Sequence, residues 1–331
     1  ERFVFFDRAV MEAIRLLDFV PDILHVHDWQ TGLVPAYLKI EYSQSPLYRG
    51  IGSVLTIHNL AYQGRFWHWD MLLTGLDWKY FNWRQMEFYG QLSFLKTGIV
   101  FADTISTVSP RYAQEIQTPE FGWGLEGVLR SRRDVLYGIL NGIDDTVWNP
   151  ETDPHIACRY NAQTVFQGKA ICKKALQEEM GLPVRPDAPL ISMIGRITHQ
   201  KGFDMVADIL PYWLEKEDAQ WVILGTGDTA LEQRFREFAD RWPQKIAVRI
   251  DFCHPLAHRI HAGADIFVMP SRFEPCGLAQ LQALRYGTVP VVREIGGLAD
   301  TIVDCRSENA AGGRANGFSF SSEDPWELSR T

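Results

Sequence analysis

Short runs of apolar residues alternate with amphipathic segments along nearly the whole chain. The runs PLISMI, QWVILG and DIFVM contain almost only apolar residues, as strands that are buried on both faces require. Segments with helical periodicity, such as FDMVADILPYWLEKE and TALEQRFREFADRW, lie between such runs. Because strands that alternate with helices build β-α-β units, the pattern predicts an α/β fold with parallel sheets.

The same pattern predicts where the elements lie. In the first half it predicts strands at DILHVHD, GSVLTIHN, DTISTVS and YGILNGID, and helices at GLVPAYLKIEY and RQMEFYGQLSFLKTGIVFA. In the second half it predicts strands at PLISMIGRI, QWVILGTG, IAVRIDF, DIFVMPS and TVPVVREI, with helices between them.

The length of 331 residues favours two domains. The segment 149–161, NPETDPHIACRYN, is polar, contains proline and has no periodicity, so we place the boundary there. The predicted domains are 1–150 and 151–331, and both are Rossmann-like. Ligands of such sheets bind beyond the carboxyl ends of the strands.

The composition excludes several classes of function. The net charge of −8 leaves no large basic face for nucleic acid. The five cysteines are scattered and odd in number, so we expect no disulfide framework, no zinc site and a reducing compartment. No apolar run approaches the roughly 20 residues that a membrane helix needs, so we expect no membrane association.

Polar clusters follow several of the predicted strands. The clusters are Asp28 with its neighbours, His58–Asn59, Arg196 with Lys201, and the segment 274–279, EPCGLA. Each cluster alone has an ordinary structural explanation. A histidine at a strand end often only makes a hydrogen bond, and Glu274 resembles a helix N-cap. Because the carboxyl ends of parallel strands lie at one edge of a sheet, the clusters together predict a ligand site.

Arg196 and Lys201 are five residues apart and flanked by glycines. Two fixed cations suit a diphosphate, and the amides of Gly277 and Leu278 before the next helix suit the same group. The P-loop pattern G-x-x-x-x-G-K-[ST] does not occur, and LGTGDTAL, which follows the predicted strand QWVILG, lacks the third glycine of G-x-G-x-x-G. The sequence therefore predicts a phosphate site that is neither a P-loop nor a dinucleotide fingerprint.

The segment 61–90 is dense in aromatic residues and too irregular for a single strand or helix. Two interpretations remain open. The segment is either a loop folded into the protein or an aromatic platform that binds a sugar chain.

Five stretches follow one another between Val20 and the end of the chain: HVHDWQTGLVPAYLK, LTIHNLAYQG, NGIDDTVWNPETD, GRITHQKGFD and PSRFEPCGLAQLQALRYGTVPVVREIGGLADT. They resemble the motifs of the bacterial glycogen synthase and plant starch synthase family. The resemblance implies a GT-B fold, in which two Rossmann-like domains face each other across a cleft. It implies a retaining hexosyltransferase that moves glucose from ADP-glucose to the non-reducing end of an α-1,4-glucan, with neither a metal nor another cofactor.

The resemblance also implies roles for individual residues. Glu274 matches the acid of the E-P-C-G-L motif, which lies against the donor glucose. Arg196 and Lys201 match the pair that neutralises the diphosphate. Asp28 and His58 match residues of the first domain that face the sugar, and these five residues form the expected catalytic set.

Further residues match positions that contact the substrates. They are Asn59 beside His58, Asn141 of the NGID motif, Phe252 beside the adenine, and Cys276, Gly277, Leu278 and Ala279 in and after the E-P-C-G-L motif. Relatives often have Thr or Ile at position 279, so only a backbone contact is expected of Ala279. We interpret Cys276 as a small buried residue.

The family begins with a Lys-x-Gly-Gly-Leu loop and ends with a helix that returns to the first domain, and this sequence contains neither. We therefore expect 1–150 to be the C-terminal part of the acceptor-side domain. We expect 151–331 to be the nucleotide-sugar-binding domain without its last helix, and the chain as given to be inactive alone. The alternative is a non-catalytic fragment or regulator that binds ADP-sugar or glucan without transfer. The expected location is the cytoplasm of a bacterium, or the plastid stroma of a plant or alga.

Overall fold

Two parallel sheets, one in each half of the chain, form the frame of the structure, as the alternating pattern predicts. The computed structural model describes residues 1–331, apart from the side chain of residue 307. The chain divides into unit 1, Glu1–Leu140, and unit 2, Asn141–Thr331.

The segment 149–161 belongs to unit 2, so the division falls after residue 140 rather than after residue 150. Buried side chains of this segment hydrogen-bond to the rest of the unit. Asp153 accepts a hydrogen bond from His258 Nδ1 (2.7 Å), and the Tyr160 hydroxyl donates to the carbonyl of Tyr286 (2.8 Å). Polar residues of this segment therefore form buried hydrogen bonds, and the segment is not a linker.

Unit 1 contains one parallel and one antiparallel sheet. Its strands are β1 (Ile23–His27), β2 (Gly52–Ile57), β3 (Arg65–Phe66), β4 (Glu87–Phe88), β5 (Gln91–Ser93), β6 (Thr104–Thr107) and β7 (Leu136–Gly138). The parallel sheet has the order β1-β2-β6-β7, and the antiparallel sheet has the order β3-β5-β4. The central strands of the parallel sheet are buried, and Leu55, Ile57 and Ile105 are fully inaccessible to solvent.

The described residues of unit 1 form six α-helices, two of which begin at serine caps. They are α1 (Arg2–Leu16), α2 (Val34–Ile40), α3 (Met71–Thr74), α4 (Phe94–Phe101), α5 (Pro110–Glu115) and α6 (Glu126–Ser131). The Ser93 hydroxyl caps α4 by accepting the amide of Lys96, and Ser109 caps α5 in the same way. Short 3-10 turns lie at Trp29–Thr31, His68–Asp70, Trp78–Tyr80 and Arg133–Val135.

The helix predicted over 84–102 is wrong in its first half. The helix begins only at Phe94, and residues 87–93 form the hairpin of β4 and β5. Tyr89 and Gly90 have φ angles of 49° and 78°, which an α-helix does not accept. The strand predicted at YGILNGID is also shorter than expected, since β7 ends at Gly138.

Unit 2 is built on a six-stranded parallel sheet. Its strands are β8 (Leu190–Ile194), β9 (Gln220–Gly225), β10 (Ile246–Ile250), β11 (Ile266–Met269), β12 (Val289–Arg293) and β13 (Phe318–Phe320). The spatial order is β10-β9-β8-β11-β12-β13. Numbered within the unit this order is 3-2-1-4-5-6, that of a Rossmann fold. The five strands predicted for this half are confirmed, whereas β13 was not predicted.

Helices connect these strands. They are α7 (Val165–Glu179), α8 (Phe203–Lys216), α9 (Thr229–Arg241), α10 (His254–Gly263), α11 (Ala279–Arg285), α12 (Gly296–Thr301), α13 (Ser307–Ala311) and α14 (Pro325–Arg330), with a 3-10 turn at His199–Lys201. Asp228 caps α9 by accepting the amides of Ala230 and Leu231. In the described part of the chain, no helix has the length and apolar character needed to cross a bilayer.

Candidate functional site

The strand order of unit 2 reverses between β8 and β11, which pair with each other in the sheet. The chain leaves β8 towards β9 on one side and leaves β11 towards β12 on the other. In sheets of this kind the ligand lies at such a switch point, beyond the carboxyl ends of the strands. Arg196 and Lys201 follow β8, and Glu274 follows β11. The fold therefore brings the predicted residues of unit 2 to its switch point.

Glu274 and Lys201 form an ion pair at this point. Lys201 Nζ donates to Glu274 Oε2 over 2.5 Å, and the Ser271 hydroxyl donates to the same oxygen over 3.0 Å. Glu274 is only 5% exposed, so the pair fixes the direction of a nearly buried carboxylate. The N-cap interpretation of Glu274 is wrong, because α11 starts five residues later, at Ala279, and the carboxylate contacts Lys201 instead.

The turn that carries Lys201 packs directly against the backbone that leads to Glu274. Gly202 has a φ of 72°, and a Cβ atom there would lie 2.2 Å from the Pro270 carbonyl oxygen, so only glycine fits. Arg272 joins the two segments from the other side. Its guanidinium donates to the His199 carbonyl (2.6 Å) and to both carboxylate oxygens of Asp204 (2.7 and 2.8 Å). These contacts hold Lys201 and Glu274 in register.

The segment after Glu274 is fixed by burial and by hydrogen bonds. Cys276 is buried, and burial raises the pKa of its thiol even though hydrogen bonds with Asn141 act in the opposite direction. The thiol is therefore a small neutral group, as interpreted from the sequence. Asn141 is thereby placed next to the E-P-C-G-L motif. Gly277 has a φ of 70° and precedes Leu278, which lies just before the first turn of α11.

A cavity of about 330 Å³ opens beyond the carboxyl ends of β8, β9 and β10. Both Arg196 and Phe252 line it, and Phe252 leaves 89% of its surface exposed. The cavity has a cationic end at Arg196 and an aromatic wall at Phe252. Such a shape suits a nucleotide, whose phosphates and base need these two environments.

The sequence did not identify several other residues of this cavity. They are Trp148, Thr226, Asp251, Cys253, His254 and Gln282. Thr226 and Asp251 directly follow β9 and β10, so the rule that ligands lie at strand ends identifies them once the strand ends are known. Trp148 lies in an irregular segment and carries no such signal.

Trp148 is positioned by a buried polar cluster. Its indole stacks on the ring of His258 at 3.9 Å and 7°, and His258 Nδ1 donates to the carboxylate of Asp153. The Tyr286 hydroxyl donates to the same carboxylate. Burial alone would raise the pKa of Asp153, but the hydrogen bonds from Tyr286, the His155 amide and His258 outweigh it and lower the pKa. Asp153 is therefore an anion at neutral pH.

In unit 1, the predicted residues Asp28 and His58 lie together at the ends of the paired strands β1 and β2. The Asp28 carboxylate accepts the backbone amide of His58 over 2.7 Å. Asp28 has a φ of 55° and a ψ of −164°, which lies outside the left-handed helical region that aspartate tolerates and marks local strain. Asn59 follows His58, and its side chain accepts the amide of Ala61.

A row of histidines accompanies Asp28. His27 Nδ1 lies 3.0 Å from His58 Nε2, and the rings of His25 and His27 are 4.4 Å apart. Burial, followed by the nearby His25 and His58, lowers the pKa of His27. A neutral His27 ring shares a hydrogen bond with His58 and thereby orients it.

Among the described residues, no three His, Cys, Asp or Glu side chains meet in a group that would hold a metal ion.

Comparison with known proteins gives a consistent result for both units. The family model described as the starch synthase catalytic domain matches residues 1–131. The model described as glycosyl transferases group 1 matches residues 188–330.

Curated bacterial proteins match nearly the whole chain. It is 51% identical to a glycogen synthase of Anaeromyxobacter dehalogenans strain 2CP-1 over 328 residues, which are 99% of the chain and 68% of that protein. It is 48% identical to a glycogen synthase of Bacillus licheniformis over 332 residues, which are 100% of the chain and 68% of that protein. The chain thus spans about two thirds of these relatives.

Solved structures show the same likeness. The catalytic domain of starch synthase IV from Arabidopsis thaliana, bound to ADP and acarbose, matches with a TM-score of 0.92 and 33% identity. The match covers 99% of this chain and 68% of that one. A sucrose-phosphate synthase from Thermosynechococcus elongatus matches with a TM-score of 0.57 and 16% identity, which is a likeness of fold alone.

Proposed function

The chain belongs to the glycogen synthase and starch synthase family of GT-B hexosyltransferases, and on this basis we propose that it takes part in building an α-1,4-glucan. The reaction is the retaining transfer of glucose from ADP-glucose to the non-reducing end of the glucan. The ADP bound to the similar starch synthase IV supports ADP as the nucleotide. The bacterial relatives named glycogen synthase support the glucan as acceptor.

In this proposal Arg196, Lys201 and the amides of Gly277 and Leu278 bind the diphosphate. Cleavage of the bond between the sugar and the phosphate builds negative charge on the leaving ADP. Fixed cations and amides stabilise that charge without reorganising during the reaction. The ion pair of Lys201 supports this role, because it holds the ammonium group rigidly at the switch point.

Glu274 acts on the sugar in the proposed mechanism. As the C1–O bond to the phosphate breaks, positive charge develops on the glucose ring, and a carboxylate beside the ring stabilises that charge. The acceptor hydroxyl then attacks C1 from the face that ADP leaves, and its proton passes to a phosphate oxygen of ADP. The new glycosidic bond therefore keeps the anomeric configuration.

The remaining predicted residues hold the substrates in place. Phe252 stacks on the adenine, and Ala279 contributes a backbone amide near the phosphates. Asp28, His58, Asn59 and Asn141 face the sugars, and Cys276 is the small buried residue within the E-P-C-G-L turn. Arg196 lines the same cavity as Phe252, which supports a phosphate next to the base. The described residues that line this cavity do not include Lys201, Glu274, Gly277 or Leu278.

The proposal includes no resident metal or cofactor, since Arg196 and Lys201 supply the positive charge opposite the diphosphate. It also places the protein in a reducing compartment, the bacterial cytoplasm. The bacterial relatives and the free state of the described cysteines support that location.

The observation that carries the proposal is the Lys201–Glu274 ion pair at the switch point of a Rossmann sheet. The test is titration calorimetry of the chain with ADP, followed by transfer of labelled glucose from ADP-glucose to glycogen. Lys201→Ala should weaken ADP binding and lower any transfer by about 10²–10³-fold. Lys216→Ala, at the exposed end of α8, is the matched control and should behave as wild type.

Two results would count against the proposal. A wild-type chain that does not bind ADP contradicts the donor site, and a Lys201→Ala variant with unchanged ADP affinity contradicts the role of that lysine. ADP or glucan binding without any transfer, in this chain and in a longer parent protein, favours the non-catalytic binding module instead.

A further inference from the structure

Two aromatic residues of unit 1 have a left-handed backbone conformation. Tyr89 has a φ of 49° and Trp123 a φ of 52°, and each precedes a glycine with positive φ, Gly90 (78°) and Gly124 (83°). Bulky L-residues rarely adopt this conformation, whereas asparagine and glycine adopt it readily. Both positions therefore carry side chains that the backbone disfavours.

Packing does not account for Tyr89. Its side chain is 81% exposed, so it adds little to the core. Two-residue hairpin loops with positive φ at both positions strongly prefer Asn-Gly. The hairpin of β4 and β5 is closed by Glu87, whose carboxylate accepts the Gly90 amide over 2.6 Å, and this contact needs no aromatic ring at position 89.

The two strained residues lie on one surface. A Cβ atom on Gly124 would be 3.0 Å from Phe88 Cζ and 3.3 Å from Tyr89 Cε2, so the Trp123–Gly124 turn rests on the rings of the hairpin. Trp123 is 49% exposed. Exposed aromatic surface thus continues from the hairpin to this turn, and we call Tyr89 and Trp123 the aromatic pair.

The aromatic pair is joined to the segment that follows strand β2. The carbonyl of Trp123 accepts a hydrogen bond from Gln63 Nε2 over 3.1 Å, and Gln63 is buried. The backbone of Gln63 is fixed in turn by the amide of Leu95. Gln63 lies four residues after Asn59, so the pair is tied to the segment that leaves the His58–Asn59 cluster.

We propose that the aromatic pair is a binding surface for the α-1,4-glucan chain, beyond the residues that face the transferred glucose. The inference rests on the proposed function, which supplies the glucan. Tyrosine and tryptophan offer large rigid apolar faces with a polar group at the rim, and these match the apolar faces and hydroxyl edges of glucose rings. Strained conformations concentrate at functional sites, and both residues combine a strained backbone with an exposed ring on one surface.

This proposal selects between the two interpretations of the segment 61–90. Phe66, Tyr80 and Phe81 pack on the core, and Phe88 lies within it, so part of the segment is a folded-in loop. Trp67, Trp69, Trp78 and Trp83 are exposed, as Tyr89 is. Tyr89 differs from these four tryptophans because its backbone has a positive φ angle. The platform interpretation applies to Tyr89 and its neighbour Trp123 rather than to the whole segment.

The test uses the full chain and the variants Tyr89→Asn, Tyr89→Phe and Trp123→Asn. Maltoheptaose binding is measured by calorimetry, glycogen binding by affinity electrophoresis, and stability by thermal unfolding. Tyr89→Asn should raise the unfolding temperature by about 2–4 °C, because asparagine suits this conformation. It should also weaken glucan binding about tenfold. Tyr89→Phe keeps the ring and loses only the hydroxyl at its rim, so it should keep most of the wild-type affinity. Trp123→Asn should weaken glucan binding.

The matched control is Phe166→Asn on α7 of unit 2, which removes a ring that is at least as exposed as that of Tyr89 and should leave glucan binding unchanged. Wild-type affinity of Tyr89→Asn for both glucans overturns the proposal, as does a wild-type chain that binds no glucan. If Tyr89→Asn instead abolishes self-association in gel filtration at unchanged glucan affinity, the pair joins copies of the chain and the proposal is wrong. ADP binding in the same samples tests the donor site separately.

Discussion

We predict that unit 1 loses stability as the pH rises, because the carboxyl group of Asp7 is buried. This residue of α1 is fully buried, and its Oδ2 accepts the backbone amide of Leu33 over 3.1 Å. Its Oδ1 has no hydrogen-bond partner among the residues that the structure describes. Burial raises the pKa of Asp7 to about 8, although the Leu33 amide acts in the opposite direction.

The sign and size of the effect follow from the two pKa values. The folded state binds the proton of Asp7 more tightly than the unfolded state does. The contribution of Asp7 to the free energy of unfolding is therefore fully present below its unfolded pKa of 3.8. It is lost as the pH rises towards about 8. Each pKa unit corresponds to about 1.4 kcal/mol. Between pH 5 and pH 8 the loss is therefore about 4 kcal/mol, which is large against the stability of a domain.

Hydrogen–deuterium exchange of α1 peptides in low urea measures the free energy of the opening that exposes Asp7. The wild type is compared with Asp7→Asn at the same pH, which cancels the intrinsic pH dependence of exchange. Asparagine keeps the Leu33 contact and does not ionise. The difference between the two proteins should shift by about 4 kcal/mol in favour of Asp7→Asn from pH 5 to pH 8.

Asp22→Asn, an exposed change close to β1, is the control and should follow the wild type at every pH. If the curves of wild type and Asp7→Asn run parallel from pH 5 to pH 8, Asp7 does not titrate in this range and the argument from burial fails.

Four further outcomes are expected. In a longer protein that contains this chain, Arg196→Ala should lower transfer by about 10²–10³-fold while circular dichroism stays unchanged, since its positive charge acts on the leaving phosphate; near-normal kcat would contradict this. Gly202→Ala should destabilise unit 2 by about 1–3 kcal/mol and reduce transfer, because a Cβ atom would meet the Pro270 carbonyl; urea unfolding and the transfer assay measure both. Asp153→Asn should cost about 2 kcal/mol of stability by weakening two buried hydrogen bonds, and an unchanged urea midpoint would exclude that role. The longer protein should use ADP-glucose at least tenfold better than UDP-glucose, and the kcat/KM values for both donors test this.

The sequence predicted the parallel strands well because a doubly covered strand must be almost entirely apolar, as PLISMI and QWVILG are. It failed at residues 84–93, where apolar residues at helical spacing also fit a hairpin. The turn there carries Tyr-Gly instead of Asn-Gly, so the usual hairpin signal is absent. β13 was missed because a strand of three residues, Phe318–Phe320, shows too little alternation.

The site was predicted from the rule that ligands bind beyond the carboxyl ends of parallel strands. Arg196, Lys201 and Glu274 each follow a predicted strand, and the structure brings the last two into contact. Trp148 was missed because its place in the cavity depends on stacking against His258, more than a hundred residues further along the chain. Such a contact depends on tertiary packing, and no local pattern contains it.

The order of strands in unit 2 has a consequence for biosynthesis. β8 is made first in its sheet but pairs on one side with β11, and Lys201 and Glu274 are 73 residues apart in sequence. At a translation rate of about 5–20 residues per second, Glu274 is made roughly 4–15 s after Lys201. During that interval one edge of β8 has no neighbour and the lysine has no carboxylate. Nascent chains arrested before residue 274 should therefore be rich in chaperone contacts, and those contacts should decrease once β11 leaves the ribosome.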